Sequence, residues 1–539
     1  MRRQSLFRFS IAALALAAFV ARAGAQAGEL KEFPLVRPAL ERDELARIST
    51  LLDSAVARYS TLRAPSRQLP WRTSRITAVT LLSPELTLGV NSSLPYGFND
   101  GALWQGRGFN VQAIGGLAFT RGRLRLIVAP QYVYSENSDF QTTPYPQGPG
   151  KDRSAWANPF YPAPGGIDLP LRFGSEPVRS LQWGQSSATL RLPVVEVGLS
   201  TENVWWGPGL QNALLWGAQG AGVPAAFVRT KAPVDTRSGT WDAWWTVGTL
   251  RESNFFDRNP DNDRRSMGAF AVSWRPPRTT GVEVGLSRLV ILAENAPFTA
   301  LFAPLGSVGR PNGPDSLDAG SRDQITSLWT RWAPPGVGFE AWAEWARFEE
   351  PASLRDFLES PGHSQAYTVG LQWARRVYNG SARLWGEATY LEPSPSLRLR
   401  PVGTTYVSRS VPQGFSVRGQ PLGAGIGPGA SSQWMGGDFI RTNWRAGAYA
   451  ARVRWDNATL FTSVVPELKR EDISLIGGLR LGGTWHRVHL LLDWAHAVRL
   501  NYLYQAYLTD PATGRTQGID IVNDALTITL STPWQRGTK

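Results

Sequence analysis

The sequence of 539 residues contains no cysteine and only four histidines. Without cysteine the chain cannot form a disulfide scaffold, a thiol nucleophile, a cysteine-ligated metal site or a lipoprotein anchor. No histidine stands at metal-site spacing from an aspartate or glutamate, and the glycine-rich stretch 423–430 lacks the strand-then-helix context of a phosphate-binding loop. We therefore expect no metal and no cofactor.

Long apolar runs are also missing. Beyond the first 25 residues, no run reaches the ~18 apolar residues of a membrane-spanning helix. Charged residues make up 18% of the chain, and the formal net charge of +13 comes from scattered rather than clustered basic residues. This charge pattern argues against nucleic acid as a partner and favours anionic lipid headgroups or acidic polysaccharide.

The first 25 residues are typical of a secretory signal peptide. Arginines precede an apolar stretch at 11–20, and small residues at 23–25 form a cleavage site, which predicts a mature start at Gln26. The chain as a whole is rich in aromatic and turn-forming residues, with 23 Trp, 22 Phe, 14 Tyr, 54 Gly and 39 Pro. An exported chain of this composition without a spanning helix is typical of an outer-membrane β-barrel.

Residues 39–62 form the one clear helical pattern. Apolar residues recur at helical spacing on one face, and charges of both signs occupy the other. The helix could pack on a neighbour or on one end of the barrel, or it could lie on a membrane surface. Because its polar face is mixed in sign rather than basic, packing is the preferred interpretation.

From about residue 74 the pattern has a period of two, with one apolar and one polar face. In 107–119, for example, Phe109, Val111 and Ala113 alternate with Asn110 and Gln112. The same alternation predicts about eighteen strands, at 74–93, 107–119, 122–135, 185–191, 194–200, 225–233, 240–251, 266–276, 281–292, 324–334, 337–349, 364–376, 381–391, 444–455, 458–466, 472–482, 484–497 and 520–532.

The connections between these strands alternate between short and mostly longer ones. Bacterial barrels have short periplasmic turns, long outer loops and an even number of strands. The sequence therefore predicts an all-β fold, a transmembrane outer-membrane barrel of about eighteen antiparallel strands with a short N-terminal helical segment. The predicted divisions are a signal peptide at 1–25, a periplasmic helical segment at 26–73, and the barrel with long extracellular loops at 74–539.

Tryptophans are concentrated in the long connections, most densely in "LSTENVWWGPGLQNALLWGAQ" at 199–219. Glycine and proline at 207–209 prevent a helix or strand from continuing there. The indoles could pin the loop into the barrel mouth as a plug, or contact a sugar, since an indole covers the apolar face of a sugar ring well. The aromatic residues of the long connections are Trp104, Trp156, Phe160, Tyr161, Trp205, Trp206, Trp216 and Trp434.

The candidate residues for polysaccharide binding or for a plug are Trp104, Arg107, Asp100, Trp205, Trp206, Gly207, Pro208 and Gly209. Arg107 could hold a sugar carboxylate, although an internal pair with Asp100 that orders the loop is the preferred interpretation. Polar-face positions predict a lumen of mixed charge, in which opposite charges pair, although a charged water channel remains open as an alternative. The predicted lumen residues are Glu340, Glu344, Arg383, Glu387, Arg452, Arg454, Arg487, His489 and Asp493.

An enzyme is disfavoured by the sequence. A serine hydrolase of the outer membrane needs a histidine beside a serine on the lipid-facing surface. His486 and His496 have the outward parity, but no serine is near either of them in sequence. The string "GHSQA" around Ser364 opens a predicted strand and lacks the strand-turn-helix elbow of a nucleophile motif. We expect no enzymatic activity.

Two blocks resemble the capsule-assembly Wzi family. These are "NSSLPYGFNDGALWQGRG" at 91–108 and "SATLRLPVVEVGLSTENVWWGPG" at 187–209, and the overall layout is similar across nearly the whole mature chain. The resemblance implies an eighteen-stranded barrel with a small helical bundle at its periplasmic end. It also implies a non-enzymatic, lectin-like role in holding capsular polysaccharide at the cell surface. The chain departs from the common barrel ending, because "QRGTK" comes after the aromatic Trp534.

The expected function is therefore an outer-membrane barrel that binds or anchors surface polysaccharide and assists capsule assembly. The alternative is a sugar-permeable porin, which requires an open lumen narrowed by an inward loop. The expected partners are outer-membrane lipid, surface polysaccharide and the barrel-assembly machinery, and not nucleic acid.

Overall fold

The computed structural model describes residues 36–53, 59–69, 71, 78–142, 167–257, 259–308, 321–351, 353–394, 403–457, 470–485, 488–504, 508–509, 516–517 and 520–531. The predicted signal peptide, the predicted mature start and the residues around Trp534 lie outside these ranges. Within them, no helix is long and apolar enough to cross a membrane.

Most of the described chain is antiparallel β-structure. The strands are β1 (Leu62–Arg63), β2 (Ala78–Asn91), β3 (Gly108–Arg121), β4 (Leu124–Val128), β5 (Gln131–Ser135), β6 (Val178–Gln182), β7 (Ser187–Arg191), β8 (Val195–Ser200), β9 (Trp205–Trp206), β10 (Ala225–Thr230), β11 (Val234–Thr236), β12 (Gly239–Arg251), β13 (Arg264–Arg275), β14 (Val282–Leu292), β15 (Arg322–Trp332), β16 (Phe339–Arg347), β17 (Gln365–Val377), β18 (Gly380–Tyr390), β19 (Ser416–Val417), β20 (Gln420–Pro421), β21 (Ser431–Ile440), β22 (Trp444–Arg454), β23 (Ile473–Trp485), β24 (Val488–Leu500), β25 (Leu508–Thr509), β26 (Thr516–Gln517) and β27 (Ile521–Ser531).

The sheet closes into a barrel of eighteen antiparallel strands, as the sequence predicts. Each strand pairs with its sequence neighbours around the ring, and β2 closes it by pairing with both β3 and β27. Three barrel strands consist of two segments each, namely β4 with β5, β6 with β7, and β10 with β11. Three small sheets, each of two strands of two residues, are not part of the ring. They pair β19 with β20, β25 with β26, and β1 with β9, the last of these inside the lumen.

The helices are few and short. They are α1 (Val36–Leu52), α2 (Pro65–Gln68), α3 (Pro297–Gly306), α4 (Leu354–Glu359) and a 3-10 turn at Tyr502–Tyr504. The helix predicted at 39–62 is therefore shifted, since α1 already ends at Leu52. α1 lies at the short-turn end of the barrel, where the Leu51 carbonyl accepts a hydrogen bond from the Gly338 amide (3.0 Å). This position agrees with a helix that packs on a barrel end.

Alternation along the strands gives the barrel two different faces. On β4, Leu124 and Leu126 are 55% and 43% exposed on the outside, whereas Arg125 is buried on the inside. The same holds on β23, where Leu475, Leu479 and Leu481 face out. Exposed aromatic residues line the short-turn end of the outer face. They include Trp241, Trp332, Trp444 and Trp485.

Two strand predictions differ from the structure. Residues 431–440 form β21, although the sequence pattern places them in a long loop, and the predicted strand 458–466 lies outside the described residues. β21 does not follow the pattern of apolar residues outside and polar residues inside. Trp434 faces inward, where the lumen is packed with apolar side chains, and Gln433 faces outward. Trp434 is therefore a wall residue and not a loop residue.

We expect a charge in the middle of the outer face to destabilise the barrel. Leu479 stands midway along β23 and faces outward. Leu479→Arg should lower the free energy of unfolding in lipid vesicles by about 2–4 kcal/mol, whereas Val522→Arg, near a strand end, should cost about 0–1 kcal/mol. Denaturant titration of both variants measures the difference. Equal and small effects would show that this face does not lie in hydrocarbon.

Candidate functional site

The segment that comes after α1 enters the barrel and pairs with the loop between β8 and β10, residues 201–224, which we call the tryptophan loop. Leu62 and Arg63 form a two-stranded antiparallel sheet with Trp206 and Trp205. Past this pair, the Gly207 amide donates to the Thr61 carbonyl (3.1 Å). The loop between β8 and β10 thus folds down into the lumen, and the N-terminal segment comes up to meet it.

Buried charges fix the N-terminal segment to the barrel wall. The Ser66 amide and hydroxyl donate to the two carboxylate oxygens of Glu202 at 2.6 and 2.7 Å. Arg229 donates to the Ser66 hydroxyl (2.8 Å) and pairs with Glu196 (3.1 Å). Arg125 donates to the Ser66 carbonyl (2.7 Å). Because these groups are shut away from water, each needs the partner that the fold supplies.

The indoles of the loop are buried. Trp205 and Trp206 are 3% and 1% exposed. Trp206 makes edge contacts with Trp216 and with the wall residue Trp244, at ring-centroid distances of 5.2 and 6.0 Å. Arg63 lies over the ring of Trp205. Of the two interpretations of the loop, its position agrees with a plug, since neither indole offers a free face to a sugar.

The Gly-Pro-Gly bend brings the loop backbone against two wall carboxylates. Gly207 has φ +104°, and a Cβ there would lie 2.6 Å from a carboxylate oxygen of Glu344. At Gly209, the residue after Pro208, a Cβ would lie 2.0 Å from the Asn212 carbonyl. Glu387 then accepts the backbone amides of the next turn, residues 210–212. The loop backbone therefore fits closely against the wall, and larger side chains at Gly207 or Gly209 would clash.

A second loop, 403–430, packs on the first from above. Its Tyr406 hydroxyl donates to the Leu214 carbonyl (2.7 Å) and accepts from the Ala424 amide (3.0 Å). Phe415 and Leu422 join the same buried cluster as Trp206 and Trp216. Among the described residues, the segments 59–69, 201–224 and 403–430 thus contribute to the filling of the lumen.

Of the predicted lumen charges, Glu340, Arg383 and Asp493 form ion pairs, whereas Glu344 and Glu387 lie against the loop backbone instead. Glu340 pairs with Arg331 of β15 and with Arg47 of α1, both at 2.5 Å. Arg383 pairs with Asp438 and with Glu44 at 3.4 and 3.6 Å. Asp493 pairs with Arg480 at 3.1 Å, and Thr484 lies within hydrogen-bond distance of His489. The residues of α1 thus complete the charge pairing at the short-turn end.

Arg452 and Arg454 do not face the lumen. In β22 the inward positions belong to Arg445, Tyr449 and Val453, so the predicted parity is wrong there. Arg454 instead pairs with Glu392 (2.5 Å) and Glu471 (2.8 Å) near the long-loop end of the strand. Outward charges are tolerated at such a height because it lies above the apolar belt. Arg487 lies outside the described residues.

The inserted segments that fill the lumen are called the plug below. A narrow crevice remains between this plug and the part of the wall formed by β21–β24 and β27. Its volume is about 110 Å³. Phe98 and Trp434 meet edge to face on one side at 5.3 Å, and charged side chains of the wall line the other side. The lining charges of the wall are Arg445, Arg480 and Asp493, and α1 adds Glu44.

The long-loop end holds a larger cavity of about 350 Å³. Trp104, Phe173 and Phe255 form an aromatic row along it, with centroid distances of 4.9 Å for the first pair and 5.9 Å for the second. Trp104 is half-buried, so part of its indole stays accessible. Among the described members of the predicted aromatic set, Trp104 lines this cavity.

Polar groups stand beside this aromatic row. Asp168 ties three loops together, since it accepts from the Ser253 amide (2.7 Å), the Ser253 hydroxyl (2.5 Å) and the Gly419 amide (3.2 Å). Next to it, burial raises the pKa of Glu252 to about 7. The nearby carboxylates of Asp257 and Asp168 act in the same direction, and a hydrogen bond from Gln413 opposes them. Glu252 therefore changes its charge near neutral pH.

Arg107 is used within its own loop. Its guanidinium donates to the carbonyls of Ser92 (3.1 Å) and Asp139. Asp100 accepts from the Gln105 side-chain amide (2.7 Å). Arg107 thus has a loop-ordering position, but through main-chain carbonyls rather than through the predicted pair with Asp100.

The string around Ser364 spans the end of the connection after β16 and the start of β17, which begins at Gln365. His363 contacts the Glu349 carboxylate at 3.0 Å, while the Ser364 hydroxyl accepts from the Glu349 amide (3.1 Å). His496 faces outward and contacts Asp524 at 2.9 Å, and His486 lies outside the described residues. Among the residues that the structure describes, no cluster could hold a metal ion.

Sequence reasoning missed the entry of residues 59–69 into the lumen. Local pattern could not reveal it, because the wall and loop partners of this segment are distant in sequence, as the 136 positions between Ser66 and Glu202 show. The sequence also missed the fit of Glu344 and Glu387 to the loop backbone, although it places both in the lumen. Trp156, Phe160 and Tyr161 of the predicted aromatic set lie outside the described residues.

Comparison with known proteins supports the fold. No protein-family model matches the sequence, and no curated protein matches it. Among solved structures, the chain is similar to Wzi of Escherichia coli, described as an outer membrane protein involved in group 1 capsule assembly and a carbohydrate-binding β-barrel. The TM-score is 0.57 at 12% identity, over 93% of this chain and 99% of that one. At this identity the match shows a shared fold.

Weaker matches include two Pseudomonas proteins. One is OccK2 of Pseudomonas aeruginosa in complex with glucuronate, with TM-score 0.37 and 11% identity over 83% of this chain and 95% of that chain. The other is a BenF-like porin of Pseudomonas fluorescens, with TM-score 0.38 and 9% identity over 85% and 99%. Scores this low carry no argument about the present chain.

Removing the Trp206 indole should loosen the plug and leave the barrel intact. Loss of a buried tryptophan costs about 3–5 kcal/mol of packing, but β9 pairs only with β1 and contributes nothing to the barrel ladder. Trp206→Ala should therefore keep heat-modifiable migration on gels and raise single-channel conductance in planar bilayers. Trp332→Ala, which removes an outward indole, is the matched control. Unchanged conductance with a folded barrel would show that Trp206 does not close the bore.

Proposed function

We propose that this protein resides in the bacterial outer membrane and binds or anchors surface polysaccharide, without catalysis, in support of capsule assembly. The observation that carries the proposal is the contrast between the two parts of the barrel interior. The lumen is filled by the chain's own segments, while an aromatic cavity of about 350 Å³ lies at the long-loop end. A barrel arranged in this way favours binding at its mouth over passage through its bore.

The outer-membrane location is supported by the outer face. A closed barrel leaves no sheet edge along most of its wall, and its exposed side chains on β4, β23 and other strands are apolar. Aromatic side chains mark the short-turn end of this apolar surface, as membrane-interface girdles do. A soluble protein rarely exposes so large an apolar surface. Export through the N-terminal signal peptide is part of the same proposal.

The chemistry of the mouth cavity suits a sugar. Trp104, Phe173 and Phe255 offer flat apolar surfaces to the C–H faces of sugar rings. Glu252 and the main chain at the cavity edge offer hydrogen-bond partners for hydroxyls. The similarity in fold to a carbohydrate-binding barrel is in keeping with this proposal.

A sugar-permeable porin is the second candidate. The crevice between the inserted segments and the wall favours it, because charged and aromatic groups line this space of about 110 Å³ inside the barrel. Planar-bilayer recording separates the candidates, since a porin should show large, steady conductance in the wild-type protein. The binding proposal expects low conductance that rises only when the plug is loosened.

Polysaccharide retention should depend on Trp104. Trp104→Ala removes one stacking surface, worth about 1 kcal/mol, which corresponds to about fivefold in the dissociation constant of a single site. A polymer that touches many barrels multiplies this effect through avidity, so retention on whole cells should fall further than binding of short oligosaccharides. The measurement is cell-bound polysaccharide together with binding to purified protein.

Trp241→Ala provides the control for the Trp104 variant, because Trp241 is an exposed indole at the opposite, short-turn end. It should leave retention unchanged. If Trp104→Ala folds normally and retains as much polysaccharide as the wild type, the mouth cavity does not bind the polymer.

Binding of an acidic polysaccharide should strengthen as the pH falls from 8 to 6. The pKa of Glu252, raised to about 7, makes this group a carboxylate above pH 7 and a neutral acid below it. Loss of the charge removes repulsion worth about 1 kcal/mol or less, hence an effect below about tenfold. Glu252→Gln should bind at pH 8 as the wild type does at pH 6, and a neutral polysaccharide should show no such change. A wild-type affinity for the acidic polymer that stays constant across this range would contradict the role of Glu252.

A further inference from the structure

The barrel wall is lower between β6 and β12 than elsewhere. β8 and β10 have only six residues each, and they end at Ser200 and begin at Ala225. β6 pairs with β5 on one side, and none of the described strands pairs with its other side. On the far side of the gap, β12 continues past Gly248, its last pairing with β10, to Arg251. We call this gap the notch.

The notch lies at the outer edge of the membrane. Its floor is near Gly184, which precedes the strand that runs down to Arg191 at the short-turn end. With a rise of ~3.3 Å per residue and a tilt of about 40°, this is about 18 Å above that end. The apolar band of such barrels is about 25 Å tall. The notch therefore opens where acyl chains give way to headgroups, beside the exposed Leu181 and Trp183.

Three arginines stand at the β12 side of the notch. Arg251 and Arg264 are directly opposite each other on β12 and β13, and both are exposed. Their inward neighbours Leu250 and Arg265 are buried, so the pair faces outward. The Arg418 amide donates to the Arg251 carbonyl (2.7 Å), which brings the third residue close.

Among the described residues, none forms an ion pair with these three arginines. No hydrogen bond or ion pair joins the guanidinium groups of Arg251, Arg264 and Arg418 to the described residues. Like charges directly opposite each other on a sheet are destabilising. A bound anion would reverse this effect, and a guanidinium fork fits phosphate in particular.

The notch is continuous with the aromatic mouth cavity. Arg251 and Arg418 line that cavity together with Trp104, Phe173 and Phe255. Side chains of β6, among them Ser180 and Gln182, line its opposite side. A ligand at the notch would thus contact the arginines at headgroup level and the apolar side chains of Leu181 and Trp183. On the side toward the barrel interior it would face the mouth cavity.

We propose that the notch binds an anionic, acylated glycolipid of the surrounding outer leaflet. Its phosphate is held by Arg251 and Arg264, its acyl chains lie along Leu181 and Trp183, and its sugar reaches toward the mouth cavity. This site concerns the lipid and does not depend on whether the barrel holds a polysaccharide. The edge of β6 that no described strand pairs with is thereby covered by lipid headgroups rather than exposed to hydrocarbon, where unpaired main-chain groups are not tolerated.

The test uses full-length protein in detergent and phosphorylated lipid A as the probe, with binding followed by native mass spectrometry and titration. Arg251→Gln/Arg264→Gln should weaken binding of phosphorylated lipid A about tenfold or more, because two charge-assisted contacts are lost. Dephosphorylated lipid A should bind the wild type as weakly as phosphorylated lipid A binds the variant. Arg121→Gln/Arg123→Gln removes two exposed arginines at the short-turn end and should change nothing.

Three results would overturn the proposal: unchanged affinity in the notch variant, equal binding of both lipid A forms, or a control variant that loses binding as well. If inorganic phosphate alone binds with the same dependence on the two arginines and displaces the lipid, the site is for free phosphate and not for lipid. Polysaccharide retention is measured on Arg264→Gln alone, because Arg264, unlike Arg251, does not line the mouth cavity, and it should match the wild type. Loss of lipid binding and loss of retention are thus separate outcomes, and failure of this proposal leaves the proposed function untouched.

Discussion

The pairing of Leu62–Arg63 with Trp205–Trp206 inside the barrel joins the two segments on which the rest of the lumen is built. An eighteen-stranded ring is wide enough to enclose water, and a ring of this size needs inserted chain to fill it. Here the N-terminal segment and the loop after β8 pair with each other, and the loop at 403–430 packs on the loop after β8. The wall then supplies acids and arginines that match these segments.

Burial makes these polar contacts specific rather than merely favourable. A carboxylate such as Glu202 or Glu387 inside the barrel needs hydrogen bonds to replace water, and it finds them on backbone amides of the inserted segments. Removal of either partner would leave a buried charge without compensation. The inserted segments are therefore held in one register, and the surface at the mouth is built on a fixed base.

The strands were largely predictable, because alternation between lipid and lumen is a local signal. It failed at β21, where Trp434 faces a lumen that is itself packed with apolar side chains, and it misplaced Arg452 and Arg454. In both cases the usual rule, apolar outside and polar inside, is reversed by the local surroundings. Trp434 packs on apolar side chains inside the lumen, and Arg454 pairs with acidic side chains near the long-loop end. The site was less predictable: Trp104 lines a cavity as an aromatic loop residue can, but Trp205 and Trp206 are buried by partners distant in sequence.

The sequence by itself determined the barrel, its approximate strand number and the alternation of short and long connections, because these depend on residue periodicity and turn-forming residues along the chain. Only the tertiary structure decided that residues 59–69 enter the lumen, that the tryptophan loop packs inward, and that the wall is lowered between β6 and β12. Each of these depends on which distant segments meet inside a closed ring, and no local pattern records that choice.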